Sequence, residues 1–187
     1  MKDLLLITPP FTQLNTPYPA TAYLKGFLNT KNISSYQIDL GIEVILEIFS
    51  KKGVTEIFNV KPENLSENTQ RIFALKEEYI KTIDEVIAFL QNKKPTLARQ
   101  ICSMNFLPEA SRFNQLDDME YAFGNMGLQD KAKHLATLYL EDLSDYIVEN
   151  IDENFGFSRY AERLGRSANS FDELYQKLQS DKTFVDN

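Results

Sequence analysis

The spacing of apolar residues changes sharply along the first forty positions. Asp3–Thr8 (DLLLIT) is a continuous apolar run closed by Pro9 and Pro10. It is too short for a helix and proline cannot continue a ladder, so it predicts a strand buried on both faces that ends at residue 8. A polar, proline-studded loop follows. Pro17 and Pro19 suit the first turn of a helix, with Thr16 as its N-cap. In the helix (PATAYLKGFLNTKN), Tyr23 pairs with Phe27 and Leu24 with Leu28 at helical spacing. Ala22 and Gly26 share a face, where two small side chains would let the helix lie close against a sheet. Asn29 to Asn32 reads as its stop. Tyr36–Leu40 is a second short strand, terminated by Asp39-Leu40-Gly41. Strand, helix, strand predicts a right-handed βαβ unit with parallel strands.

Beyond this point the period is almost wholly helical. Ile42, Ile45, Leu46 and Phe49 mark an amphipathic helix that Gly53 is expected to end. One long helix is predicted from Asn64 to about residue 92. Asn64 and Glu67 form its cap, and Leu65, Ile72, Leu75, Tyr79, Ile83, Val86 and Leu90 its main apolar stripe. Pro95 opens another helix through Cys102. Leu116, Met119 and Phe123 suggest a short one before Gly124 and Gly127 break the chain. LQDKAKHLATLYLEDLSDYIVENID is a second long helix, in which Tyr139 and Tyr146 read as core. A short helix is expected around SRYAERLG, and Ser170-Phe-Asp-Glu173 is a capping box opening FDELYQKLQS. The fold class is therefore α/β by topology but mainly α. Residues 1–53 form the βαβ unit, and 54–187 are a helical region packed on it as one compact unit. Two strands make no stable sheet alone, so helices must cover them or further strands must complete them.

Composition narrows the chemistry. The chain has 187 residues, is 43% hydrophobic and carries a net charge of −7, with basic residues dispersed among acidic ones. That balance argues against a nucleic-acid partner. No apolar run is long enough to span a membrane, and the N-terminal run is too short for a signal-peptide core, so the expected location is cytoplasmic. The single cysteine, Cys102, forms no intrachain disulfide and holds no cluster by itself. The lone histidine, His134, reads as a surface or half-buried helix residue rather than a metal ligand. No activated serine, cysteine–histidine pair or phosphate-binding glycine loop is present, and among the plentiful carboxylates none is paired in an apolar context that would mark an acid–base couple.

Ligands of open parallel sheets sit at the carboxyl ends of the strands. Both the Thr8–Pro19 loop and the Asp39–Gly41 turn lie at that edge. The candidate ligand-facing residues are Pro9, Pro10, Asn15, Tyr18, Asp39 and Gly41. Thr16 doubles as a helix cap, and Asp39 as a cap for the next helix. Arg159, Arg163 and Arg166 share one helix face and could meet a phosphate, though pairing with neighbouring carboxylates is the simpler use.

The segments LLLITPPF, NTPYPATAYLKGFL, YQIDLGIE, LQDKAKHLATLYLEDLSDYI and FGFSRYAERL resemble the N-terminal region of cobalamin-binding-domain radical S-adenosylmethionine proteins. In that family a Rossmann-like cobalamin domain precedes a barrel whose iron–sulfur cluster, on Cys-x3-Cys-x2-Cys, cleaves S-adenosylmethionine. The resemblance implies that residues 1–53 are a truncated Rossmann-like βαβ unit and that the helices are a bundle-like insertion. It implies cobalamin in the full-length protein. The 4Fe-4S cluster and S-adenosylmethionine would belong to a C-terminal remainder of the same polypeptide, which would be this region's partner. The three-cysteine motif and the Asp-x-His-x-x-Gly motif are absent here. The expectation is thus a fragment that is non-catalytic alone and binds cobalamin weakly or not at all. The other reading from the residues is a helical protein-interaction module with no cofactor.

Overall fold

A computed structural model describes residues 4–9, 19–63, 65–103, 105–118, 127–153, 155–157, 170–179, 182 and 185. Among them the chain is mostly helical, with one small parallel sheet. It divides into two compact units, 1–47 with 156–181, and 48–155 with 182–187.

In the first unit, strands β1 (Leu4–Thr8) and β2 (Ser35–Asp39) pair in parallel, with Leu4 opposite Ser35 and Thr8 opposite Asp39. Helix α1 (Pro19–Thr30) connects them. It ends as the sequence suggests: Ile33 and Asn32 donate back to the Leu28 and Asn29 carbonyls, and Asn32 takes the left-handed conformation at φ 54°. Side chains alternate across a sheet, so Leu4, Leu6, Thr8, Ser35, Gln37 and Asp39 share the face toward α1. There the buried Thr21 hydroxyl lies 3.4 Å from that of Thr8 and accepts from Gln37 at 2.8 Å.

Two expectations are corrected in this unit. The first strand is not buried on both faces. On the side away from α1, Leu5, Ile7 and Tyr36 are 60%, 46% and 61% exposed, because no described element covers that face. Nor does Gly26 lie against the sheet. Helix α1 turns Thr21, Lys25 and Leu28 inward, Ala22 and Gly26 are exposed, and a methyl group at Gly26 would meet nothing within 4 Å. Tyr23, Leu24 and Phe27 consequently face outward. Helix α2 (Leu40–Ile48) follows β2 directly.

The second unit is a set of short helices arranged on one long one: α3 (Lys51–Asn59), α4 (Glu67–Ala74), α5 (Lys76–Leu90), α6 (Ala98–Cys102) and α7 (Leu128–Asn150). Pro95–Leu97 and Ser111–Asp118 are 3-10 turns. Its core includes Ile57, Ile72, Ile83, Val86, Leu135 and Leu143, all fully buried. Aromatic rings knit α3, α5 and α7: Phe58 meets Tyr146 and Tyr79 meets Tyr139, each at 5.0 Å between centroids.

The helix starts differ from expectation. Gly53 does not end a helix. Ser50 caps α3, accepting from the Gly53 N–H at 3.0 Å, so the glycine is a buried residue of the first turn. The long helix from residue 64 is in fact two, separated at Leu75, whose backbone (φ −94°, ψ 12°) closes α4 and opens α5. The cap of α4 is Ser66, which accepts from the Thr69 N–H. Asn64 lies outside the described residues. On α5 it is Phe89 rather than Leu90 that is buried. Tyr139 and Tyr146 are fully buried, and α7 spans nearly the predicted length. Helix α8 (Phe171–Gln179) belongs to the first unit, and its Glu173 N–H donates to the Ser170 hydroxyl at 3.2 Å, one half of the predicted capping box. The SRYAERLG helix, Arg159, Arg163, Arg166 and the helix assigned to Met119 and Phe123 fall outside the described residues.

Candidate functional site

Parallel pairing brings Thr8 and Asp39 side by side, so the carboxyl ends of both strands open at one edge. Of the six candidate ligand-facing residues, Pro9, Asp39 and Gly41 are described there; Pro10, Asn15 and Tyr18, with Thr16, lie outside the described residues. Pro9 is exposed and carries no N–H. Asp39 accepts the Ile42 N–H on Oδ1 at 3.3 Å, the capping role open to it from its place before α2. Gly41 is buried in the first turn of that helix. These three residues supply one committed carboxylate oxygen and no convergent donors. By themselves they do not fit a ligand as large as cobalamin, which needs a preformed concave site. Among the described residues no group of three or more His, Cys, Asp or Glu side chains is placed to hold a metal ion.

The densest polar arrangement is elsewhere, and sequence reasoning missed it. Asp142 sits in phase with Leu135, Tyr139, Leu143 and Tyr146 on the buried side of α7 and is itself fully buried. Its Oδ2 accepts from the Ala110 N–H at 3.2 Å and the Tyr79 hydroxyl at 3.4 Å, and its Oδ1 from the Arg112 N–H at 3.3 Å. The Tyr139 hydroxyl donates to the Tyr79 carbonyl at 3.0 Å and lies 3.1 Å from the Thr82 hydroxyl. Burial pushes the Asp142 carboxyl up to about 6, against the two backbone N–H groups and the Tyr79 hydroxyl that favour its charged form. Burial likewise raises the Tyr79 and Tyr139 hydroxyls above the ordinary phenol range. A carboxylate on an apolar helical stripe was the signal available. The node is closed over and fully partnered, so it fixes residues 110–112 to α7 rather than offering a reacting group to a substrate.

Two further clamps lie along α7. Arg112 makes a two-pronged ion pair with Asp145, at 2.9 and 2.8 Å. Glu149 accepts from the Ser66 N–H, from the Ser66 hydroxyl at 2.7 Å and from the Thr69 hydroxyl at 2.9 Å, over the start of α4. Desolvation works against the Glu149 charge, but these bonds hold its carboxyl below the usual range. His134 is half-buried on α7, and the Cys102 thiol donates to the Leu128 carbonyl. No described helix is long and apolar enough to cross a membrane.

Comparison with protein-family models, with curated proteins and with solved structures gives no match.

Proposed function

We propose that this chain is the N-terminal, cobalamin-binding-domain-like region of a radical S-adenosylmethionine protein, a non-catalytic part that shapes a cofactor site which further polypeptide completes. The observation that carries the reading is the state of the sheet. A parallel pair is normally covered on both faces, yet here the face bearing Leu5, Ile7 and Tyr36 is open and apolar. A two-stranded sheet with such a face is not a self-sufficient structure. The strand-end edge supports the same reading, since its described residues give a ligand too few contacts without neighbouring loops. The resemblance of LLLITPPF and NTPYPATAYLKGFL supplies the identity of the ligand. In this reading the cluster and S-adenosylmethionine chemistry resides wholly outside these residues.

The second reading, a helical interaction module without cofactor, is favoured by one observation: the 48–155 unit has its own closed aromatic core and clamps. Titration with hydroxocobalamin, followed by absorbance, separates the two. The first reading expects weak or no binding by this chain and stoichiometric binding by a longer polypeptide from the same reading frame. Failure of both to bind removes the cobalamin assignment and leaves the interaction module.

A further inference from the structure

Helix α1 carries its large apolar residues on the wrong side for an outer helix. Its one charged residue, Lys25, is turned toward the sheet and donates to the Ser35 carbonyl at 3.4 Å. Tyr23 and Phe27 stand outward instead, 78% and 58% exposed. Pro19, Tyr23 and Phe27 are spaced four residues apart and form a ridge along the helix. Ala22, Gly26 and Thr30 form the row beside it, and all six residues are exposed. The outward side of α1 therefore bears no charge. The Thr30 hydroxyl already donates to the Phe27 carbonyl at 2.7 Å, so covering it strands no donor. Just past the helix, the Lys31 ammonium lies 5.7 Å from the centre of the Phe27 ring.

Layering, charge and shape together choose what covers this side. Helices are the outermost layer of an α/β unit, so further strands would widen the sheet without reaching the outer side of α1. The chain carries a net charge of −7, which sets two copies against each other wherever carboxylates meet. The outer side of α1 lets them approach without that repulsion. Its shape is also self-complementary. About a twofold axis, the aromatic ridge of each copy lies in the groove above the small row of the other, the packing class whose axes cross at about −50°. Tyr23 and Phe27 offer roughly 250 Å² of ring surface per copy. With the flanking residues of both copies, the pair would bury on the order of 1,000 Å², at the low end of specific interfaces.

We infer that this chain self-associates through the outer side of α1, as a weak twofold pair with a second copy. The inference does not rest on cobalamin. The open sheet face bearing Leu5, Ile7 and Tyr36 is the rival surface. In the reading above, that face is left to further polypeptide, while the outer side of α1 stays free.

Sedimentation equilibrium of the chain, from about 1 μM to about 0.5 mM, tests this by following monomer into dimer. Gly26→Glu is the breaking substitution, because Gly26→Ala would keep the row small. A side chain at 26 meets nothing within 4 Å in the protomer and the backbone there has no positive φ, so the glutamate leaves the fold intact. Circular dichroism verifies that. Gly26→Glu and, separately, Phe27→Ser should each raise the dimer dissociation constant at least about tenfold, and Ile7→Ser should leave it unchanged. A chain that stays monomeric throughout would overturn the inference. So would a dimer that both α1 variants leave intact, or one that Ile7→Ser dissolves and they do not, which would assign it to the sheet face.

Discussion

The βαβ unit and the helical unit meet the same requirement, removing apolar surface from water, with opposite outcomes. In the helical unit Phe58, Tyr79, Tyr139 and Tyr146 are buried, and Tyr79, Tyr139, Asp142 and Thr82 bond to one another or to backbone. In the βαβ unit Leu5, Ile7, Tyr23, Phe27 and Tyr36 stand largely in solvent. Helices close their own backbone bonds and need only a stripe covered, so a few of them suffice to enclose a core. A sheet leaves two edges and two faces to be satisfied by other elements. Similar hydrophobic content therefore gives a closed structure in one region and an open one in the other.

The contrast is broken or sharpened most strongly by truncating matched apolar residues. Ile83→Ala in the closed core should cost about 2–5 kcal/mol, while Ile7→Ala on the open face should fall within about 0.5 kcal/mol. Urea denaturation followed by circular dichroism checks both, and comparable losses would mean that the sheet face is covered. The Asp142 node comes next. Asp142→Asn turns an amide N–H toward groups that are themselves donors and should cost about 1–3 kcal/mol near neutral pH. Its pH signature is the sharper readout. The folded carboxyl titrates at about 6, above its ordinary value of 3.8, so the folded state binds the proton more tightly. Wild-type stability relative to Asp142→Asn should rise as pH falls from above 6 toward 4. Glu149 carries the opposite sign: its depressed carboxyl stabilises above the ordinary value of 4.5, and that contribution is lost as pH falls below it.

Ser66→Ala removes the cap of α4 and a donor to Glu149, with an expected loss of about 1 kcal/mol in thermal or urea unfolding. The last of these effects has the reverse sign. Gly26→Ala lies in mid-helix with open space around it, so it should stabilise α1 by about 0.5–1 kcal/mol. A loss instead would show that a docked element needs the glycine.

What could be read in the sequence was what local pattern controls. The βαβ order, the span of α7, its buried tyrosines and the Ser170 cap follow from periodicity and cap chemistry within a few residues. The break at Leu75 was hidden because Ile72 and Tyr79 keep helical phase across it, with no glycine or proline to mark it. The Asp142 node was hidden for another reason: Tyr79 lies 63 positions away, and Ala110 and Arg112 lie 32 and 30 away. Periodicity also locates an apolar run without saying what covers it, which is why β1 reads as buried and is not. At the candidate site, the turn Asp39–Gly41 could be placed from sequence, and the capping role of Asp39 was one of two uses open to it.

Helix α7 also measures distance. Asp142, Asp145 and Glu149 are spaced three and four residues apart, so they stand on one side of the helix over about 10 Å of its length. Asp142 and Asp145 hold the 110–112 segment, through its backbone and through the Arg112 side chain, and Glu149 holds the start of α4 at Ser66. Deleting one residue between 142 and 149 would shorten the span by about 1.5 Å and rotate one end by about 100°. Asp142 and Glu149 could no longer reach their targets together. The length between these carboxylates is therefore fixed to the residue, and this stretch of α7 admits substitution far more readily than insertion or loss.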